Sequence, residues 1–501
     1  MNALKRDASE VLSLVLSLKN SFAPINLIPA EVLSLIPDYC DEHDVEQDLI
    51  TLTHVCRGWR EMLISRSSLW TQLDFANVDK TRTYIQRSKS SPLEIHLGRD
   101  EDDTYLDDAL FLATPHVPRL KSLTIYMDAL PAAIRYFYRR APLLEVLDIS
   151  LTCPHPPVLN RTLFNGDLSS LRKLTLGGVI TRLPWRNMAN LTVFNLKSCH
   201  PGRDFITRLL NFFACAPLLH TIILEDSIPK SSNAPPERIV PLPHLRMLAI
   251  IAQPAHSILL NHLYIPTGAS LILRFTFSGK KSPLPDYLPE ASTNLRNLSH
   301  ITTVNLRFAA MKKCIRLNGP SGGLRIFARW KDDIISPRTM DRRIFRSLDP
   351  SILSTAQRLA VSTYKPPKPA EVENCQVFQT LSSMDNLRTL ILTKCHNLPF
   401  ILSLNPEQNS SKLMLCPNLE EIVLYIKSQD QFHIKQLISM TRERASRDAR
   451  LSSITIVGLG ELVPGKEVFK LREHVTYVEY RVDDAPPDWD HLSDESSDES
   501  E

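Results

Sequence analysis

The sequence predicts an α/β fold. A small helical module at the N-terminus leads into a solenoid with parallel strands on one face and helices and loops on the other. Three observations predict it. Apolar residues between Leu27 and Trp70 recur at helical spacing. From Ser68 onward the period shortens to two, as in Leu93, Ile95 and Leu97. A segment of the form Leu-x-x-Leu-x-Leu then returns at intervals of 20 to 32 residues, with one gap of 86 between Ile301 and Leu387.

The first of these stretches opens Leu27-Ile28-Pro29-Ala30-Glu31-Val32-Leu33. Pro29 suits the first position of a helix, where its missing N–H costs nothing, and Glu31 falls in the first turn, where the dipole favours an anion. Val32, Leu33 and Ile36 share a face, and Pro37 disfavours continuation. After an acidic loop from Asp41 to Asp48, Leu49, Leu52, Val55, Cys56 and Trp59 recur at helical spacing and predict a second amphipathic helix. Two such helices bury too little apolar surface to stand alone, so their outer faces are expected to pack against something else.

Residues 27–70 resemble an F-box, the helical module with which substrate adaptors dock on a Skp-type adaptor of cullin-based ubiquitin ligases. The resemblance rests on Leu27–Leu33, on Val55-Cys56-Arg57-Gly58-Trp59-Arg60 and on the closing Ser68-Leu69-Trp70. It departs from the family pattern at one point, since Ile28 and not Leu27 precedes Pro29. The resemblance implies that Leu27, Ile28, Pro29, Glu31, Val32, Leu33, Val55 and Trp59 form the surface for the Skp-type adaptor, with Val55 and Trp59 packing the module or extending the contact.

Upstream, Leu4, Ala8, Val11, Val15, Leu18, Phe22 and Ile25 alternate at spacings of four and three, which predicts an amphipathic helix over 1–24. Its apolar seam fits either self-association or a return onto the helical pair. The apolar run of residues 11–18 is too short to span a bilayer, and no cleavage motif follows it before Phe22.

Eleven copies of the leucine pattern follow. They are Leu120/Leu123/Ile125, Leu144/Leu147/Ile149, Leu171/Leu174/Leu176, Leu191/Phe194/Leu196, Leu219/Ile222/Leu224, Leu245/Leu248/Ile250, Ile272/Phe275/Phe277, Ile301/Val304/Leu306, Leu387/Leu390/Leu392, Leu419/Ile422/Leu424 and Leu451/Ile454/Ile456. A small polar or cysteine residue three positions on, at Thr152, Cys199, Ser227 and Cys395, is placed to satisfy the backbone that turns off each strand. Helix-like spans at 128–140 and 204–215 end before Ala-Pro-Leu-Leu, where Pro stops the helix. The pattern resembles the irregular leucine-rich repeats of F-box proteins and gives a domain over 76–480. The period breaks near 319–373, an insertion that carries Arg338, Arg342, Arg343 and Arg346. That stretch reads either as a basic surface for an acidic or phosphorylated target or as a degenerate repeat with a solvated charged helix. Residues 481–501, rich in Asp, Glu and Ser, are expected to be a disordered acidic tail.

Composition narrows the function classes. Hydrophobic residues make up 43% and charged residues 23%, ordinary for a chain that buries a large core. A net charge of +3 gives no whole-chain argument for nucleic acid or membrane as a partner. Nine scattered cysteines do not form a secreted disulfide framework, which fits a cytoplasmic or nuclear protein. No GxxxxGK[ST], GxSxG, HExxH or paired CxxC occurs, so no catalytic residue, cofactor or metal is assigned. The function this predicts is substrate recognition for a cullin-type ligase, through a Skp-type adaptor at one end and an unknown protein target on the repeats. A leucine-rich interaction scaffold with no ligase role is the alternative.

Overall fold

The computed structural model describes residues 2–39, 45–73, 75, 77–98, 106–128, 134, 137–159, 163–180, 188–199, 204–227, 238–251, 257–277, 288, 292–308, 312–330, 350–363, 381–393, 398–408, 412–426, 433–459 and 466–483. It divides into two compact units, Met1–Leu191 and Thr192–Glu501.

The first unit begins with helix α1 (Asn2–Ser21) and a 3-10 turn at Pro24–Leu27. Pro24 forces Ala23 into an extended conformation, so the apolar seam of α1 ends at Leu18, and Phe22 and Ile25 lie beyond the helix. Helix α2 (Ala30–Leu33) is followed by a 3-10 turn at Ile36–Tyr39, then α3 (Val45–Thr53), α4 (Arg57–Ser65) and a 3-10 turn at Ser67–Trp70. The single helix expected over 49–59 is therefore two. Thr53 Oγ1 turns back to the Ile50 carbonyl at 2.6 Å, and Arg60 Nε donates to the Thr53 carbonyl at 3.0 Å, which closes α3. Cys56 is extended (φ −160°) and opens α4, so Val55 belongs to the link between the helices and to neither face.

Five parallel strands complete this unit: β1 (Gln72–Leu73), β2 (Leu93–Leu97), β3 (Leu120–Met127), β4 (Val146–Leu151) and β5 (Lys173–Gly177), paired in that order. Helices α5 (Val78–Arg87) and α6 (Leu106–Ala113) lie between the first three. Asn77 caps α5 through its side chain, which accepts from the N–H groups of Asp79 and Lys80. The repeat residues share rungs, with Leu123 beside Leu147 beside Leu174 and Ile125 beside Ile149 beside Leu176, all fully buried. Alternation along each strand puts these residues on the core face.

The second unit repeats the arrangement with β6 (Val193–Lys197), β7 (Thr221–Glu225), β9 (Met247–Ile251) and β11 (Ser270–Phe277), parallel and adjacent in that order. A separate two-stranded pair joins β8 (Val240–Pro241) to β10 (Leu263–Tyr264). Helix α7 (Phe205–Ala214) fills the predicted span before Ala216, whereas most of 128–140 lies outside the described residues. Register corrects one repeat: Leu248 pairs with Leu271 and Ile250 with Leu273, so the core residues here are Leu271 and Leu273, and Ile272 points to the other face. With a period of two, the one-residue difference exchanges the faces.

A larger correction concerns 319–373, expected to interrupt the array. It contains β14 (Gly323–Trp330) and β15 (Arg358–Thr363), both part of the sheet. After β11 the chain lays down β12 (Thr303–Phe308), returns antiparallel along β13 (Lys312–Asn318) and turns again into β14. Strand β14 pairs parallel with β11 and β12 with β15, giving the order β11-β14-β13-β12-β15. The turn from β13 to β14 is closed by the Gly319 N–H donating to the Gly322 carbonyl at 2.8 Å. A Cβ on Gly322 would lie 2.4 Å from the Ala269 oxygen, so glycine is required there. Parallel strands β16 (Thr389–Thr393), β17 (Glu421–Ile426), β18 (Ser453–Leu459) and β19 (Tyr477–Asp483) continue the sheet. Strand β19 runs to Asp483, past the expected start of the tail at 481; residues 484–501 lie outside the described residues, as do Arg338, Arg342, Arg343 and Arg346.

Turns between strands follow a common plan. Gly178, Ser198 and Asp226, each directly after a strand, all have positive φ. In the second unit the Ser198 N–H donates to the Glu225 carbonyl and the Asp226 N–H to the Ile251 carbonyl, both at 2.7 Å. The next residues, Cys199 and Ser227, are buried, and Ser227 Oγ accepts from the Cys199 N–H at 3.2 Å and donates to the Glu225 carbonyl at 2.7 Å. Thr152 is bonded to Asp128, and Cys395 lies outside the described residues. Before the strands, Asn190, Asn386 and Asn418 donate side-chain N–H groups to the carbonyls of Ser169, Ser354 and Asp385, one repeat back.

Candidate docking module

The expected adaptor-binding residues occupy two environments within the N-terminal module. Leu27 and Val32 are 70% and 52% exposed, and Ile28, Pro29, Glu31 and Val55 are exposed as well. Leu35 and Tyr39 extend this apolar surface. Leu33 and Trp59, in contrast, are 7% and 5% exposed, so the expectation that Leu33 presents itself to a partner gives way to a role in the module's core. The reason is geometric: in the one turn of α2, Val32 and Leu33 lie about 100° apart, so one faces outward when the other faces in.

Trp59 is the hinge of the packing. Its Nε1–H donates to Asn26 Oδ1 at 2.8 Å, tying α4 to the 3-10 turn that precedes α2. Trp70 Nε1–H donates to the Leu63 carbonyl at 2.9 Å, and its ring meets Tyr84 edge-on at 5.1 Å. Arg87 stacks its guanidinium 4.3 Å over the same indole. The Leu-Trp that closes the module thus anchors it to α5. Further ties come from Arg66, bonded to the Ser34 carbonyl, and Arg57, bonded to Ser13.

A groove of about 710 Å³ runs between α1 and α4, lined by Leu12, Leu16, Ile28, Leu33, Trp59 and Met62 among others. Helix α1 meets the module at half-buried Ser13, while Leu12 and Leu16, which line the groove, stay as exposed as the heptad positions Val11, Val15 and Leu18. The helix therefore lies beside the module at Ser13 without burying its heptad seam. Leu12, Leu14, Leu16 and Leu18 are all exposed, and residues 11–18 are apolar on nearly every side.

Among the described residues, no grouping of His, Cys, Asp and Glu is arranged to hold a metal ion, and no helix is long and apolar enough to cross a membrane. Residues 25–76 match the F-box-like family model, about a tenth of the chain. The chain thus carries an F-box-like domain, a module that generally binds Skp-type adaptors and points to a ubiquitin-ligase adaptor role. No curated protein matches the chain.

Proposed function

We propose that this protein is a substrate-recognition adaptor of a cullin-type ubiquitin ligase. The exposed strip Leu27, Ile28, Pro29 and Val32 docks on a Skp-type adaptor, and through it on a cullin, while the strand array holds a protein target. The observation that carries the reading is the F-box-like match at 25–76, on a module whose opening motif is apolar and turned outward. The array is read as irregular leucine-rich repeats over 76–480. In support, most copies of the leucine pattern fall on buried, in-register strands, with asparagine side chains joining several turns to the repeat before and Ser227 joining one more.

The protein forms no covalent bond with its target. It raises the effective concentration of a target lysine near the ubiquitin-charged enzyme, a gain that depends on geometry and needs no acid or base from this chain. The workplace is the cytoplasm or nucleus.

Co-expression with a Skp-type adaptor and affinity capture test this. Leu27→Asp/Val32→Asp changes exposed positions only, so its melting curve should match wild type. A carboxylate desolvated at an interface should cost at least ~2 kcal/mol, a loss of about 30-fold in capture. Capture of both proteins alike would place the docking surface elsewhere. Failure of wild type to capture the adaptor would leave a leucine-rich scaffold without a ligase role.

A further inference from the structure

Polar ties hold the groove between α1 and α4 at two points. Asn26 bridges its ends: the side-chain N–H donates to the Asn20 carbonyl in the last turn of α1 at 2.7 Å, while Oδ1 accepts from Trp59 Nε1 of α4 at 2.8 Å. Midway along α1, Ser13 is bonded to Arg57, the first residue of α4. The walls are thus fixed before anything enters, and a preformed groove loses little ordering entropy on filling.

One wall carries Leu12 and Leu16, a ridge one turn apart on α1 that remains 59% and 50% exposed. Leu33, Trp59 and Met62 add apolar lining from the module. An apolar body seated here takes both leucines out of water, a gain in proportion to the area covered. The lining also includes Arg57 and Arg60, both exposed, and among the described residues no aspartate or glutamate. A volume of about 710 Å³ between two helices fits an amphipathic helix laid lengthwise, apolar side chains inward and carboxylates along its edge.

Continuity says what that helix belongs to. Ile28 lies both in this groove and in the exposed strip Leu27, Ile28, Pro29 and Val32. A partner that covers the strip at Ile28 therefore stands at the groove. Helix α1 precedes the family match at 25–76, which leaves its part in docking unassigned.

We propose, resting on the adaptor reading above, that the groove receives an acidic-edged amphipathic helix of the Skp-type adaptor, which makes α1 a second wall of the docking site. Leu12, Leu16 and Ile28 lose their exposure to the incoming helix, and Arg57 and Arg60 meet its carboxylates. The chain carries its own control. Leu14 and Leu18 are the same pair of residues, one turn apart and exposed, but lie about 160° round α1 from Leu12 and Leu16.

The test is calorimetric titration of the full chain with a purified Skp-type adaptor. Leu12→Ala/Leu16→Ala should bind about tenfold more weakly than wild type, the equivalent of ~1.4 kcal/mol. Leu12→Met/Leu16→Met keeps the apolar bulk and should bind within about twofold of wild type. Leu14→Ala/Leu18→Ala should bind as wild type does. All four positions are exposed, so the melting curves should coincide. Raising salt from about 0.05 to 0.5 M should weaken wild-type binding severalfold, because screening then acts within ~4 Å. If Leu12→Ala/Leu16→Ala binds like wild type while Leu27→Asp/Val32→Asp loses the adaptor, the docking strip stands and the groove proposal is overturned. Equal losses from the two leucine pairs overturn it as well. If the free chain sediments as a dimer that Leu12→Ala/Leu16→Ala disperses, the groove belongs to a second copy instead. A wild type that does not bind the adaptor ends both readings.

Discussion

Arg444, near the end of the α-helix Ile434–Ser446, is wholly buried. Its Nη1 donates to the Leu415 carbonyl at 2.9 Å and its Nη2 to the Cys416 carbonyl at 2.8 Å. Burial pulls the guanidinium down to about 10, and Cys416 beside it pulls the other way, so the group stays charged at neutral pH. An arginine on backbone carbonyls differs from a buried ion pair, because its acceptors cannot be removed along with it. Arg444→Met keeps most of the stem's packing and leaves both carbonyls without these donors. At ~1 to 3 kcal/mol for each buried group left unsatisfied, less what is regained by no longer burying a charge, the net loss should be about 3 kcal/mol. Arg444→Ala adds an unfilled volume and should cost about 2 kcal/mol more. Arg444→Lys, with one ammonium for two acceptors, should fall between wild type and Met. Urea unfolding monitored by circular dichroism reads these as midpoint shifts at constant slope, and a loss of about 3 kcal/mol should lower the melting temperature by roughly 6 °C in a unit of this size. A Met variant within ~0.5 kcal/mol of wild type would mean that the two hydrogen bonds merely repay the desolvation of the cation, and the reasoning fails.

Two further outcomes are expected. Gly178→Ala places a Cβ 1.9 Å from the Leu151 oxygen at φ +60° and should destabilise by more than ~2 kcal/mol, whereas Gly98→Ala, with open space around it, should stay within ~0.5 kcal/mol of wild type; equal thermal melts would refute the close approach. Burial pushes the Cys416 thiol from 9.0 to about 12, with Arg444 pulling it down, while its sulfur donates to the Leu381 carbonyl at 3.4 Å. The unfolded chain therefore loses this proton first. The thiol's stabilisation is complete below about pH 9 and is lost as pH rises toward 12, so Cys416→Ala should flatten the alkaline side of the stability profile. A wild-type slope left unchanged by that substitution would count against it.

Much of this architecture was legible because it depends on spacing. Leu147, Leu174, Ile222 and Leu390 all recur in a pattern that only a stack of strands can bury, and each lies on the core face. Asn190, Asn386 and Asn418 stand just ahead of strands, but no spacing in the sequence points to the carbonyls they reach one repeat back. The break at 54–56 was hidden because a spacing of three and four runs on through it, whereas the closing interactions, Thr53 to Ile50 and Arg60 to Thr53, are polar and leave no periodic trace. In the docking module, apolar identity alone could not divide Val32 from Leu33. That division depends on which way a single turn of helix faces.

Residues 319–373 escape the pattern for a different reason. A parallel repeat array imposes one spacing, since each strand must be followed by a connection that returns to the same end of the sheet. The β12–β13–β14 excursion escapes that rule by running one strand backward, so β14 follows β13 after a short glycine turn and the expected interval disappears. Its outer strands still keep register with the array, Leu324 beside Leu271 and Val304 beside Leu359, and the core face continues unbroken. On β15 to β18 the opposite face is buried as well, with Ala360, Ile391, Val423, Tyr425 and Val457 clustered there. On β11, β12, β13 and β14 that face instead carries Arg274, Arg307, Arg316, Arg325 and Arg329. All but Arg274 thus fall on the strands of the backward excursion, across which the leucine pattern falls silent.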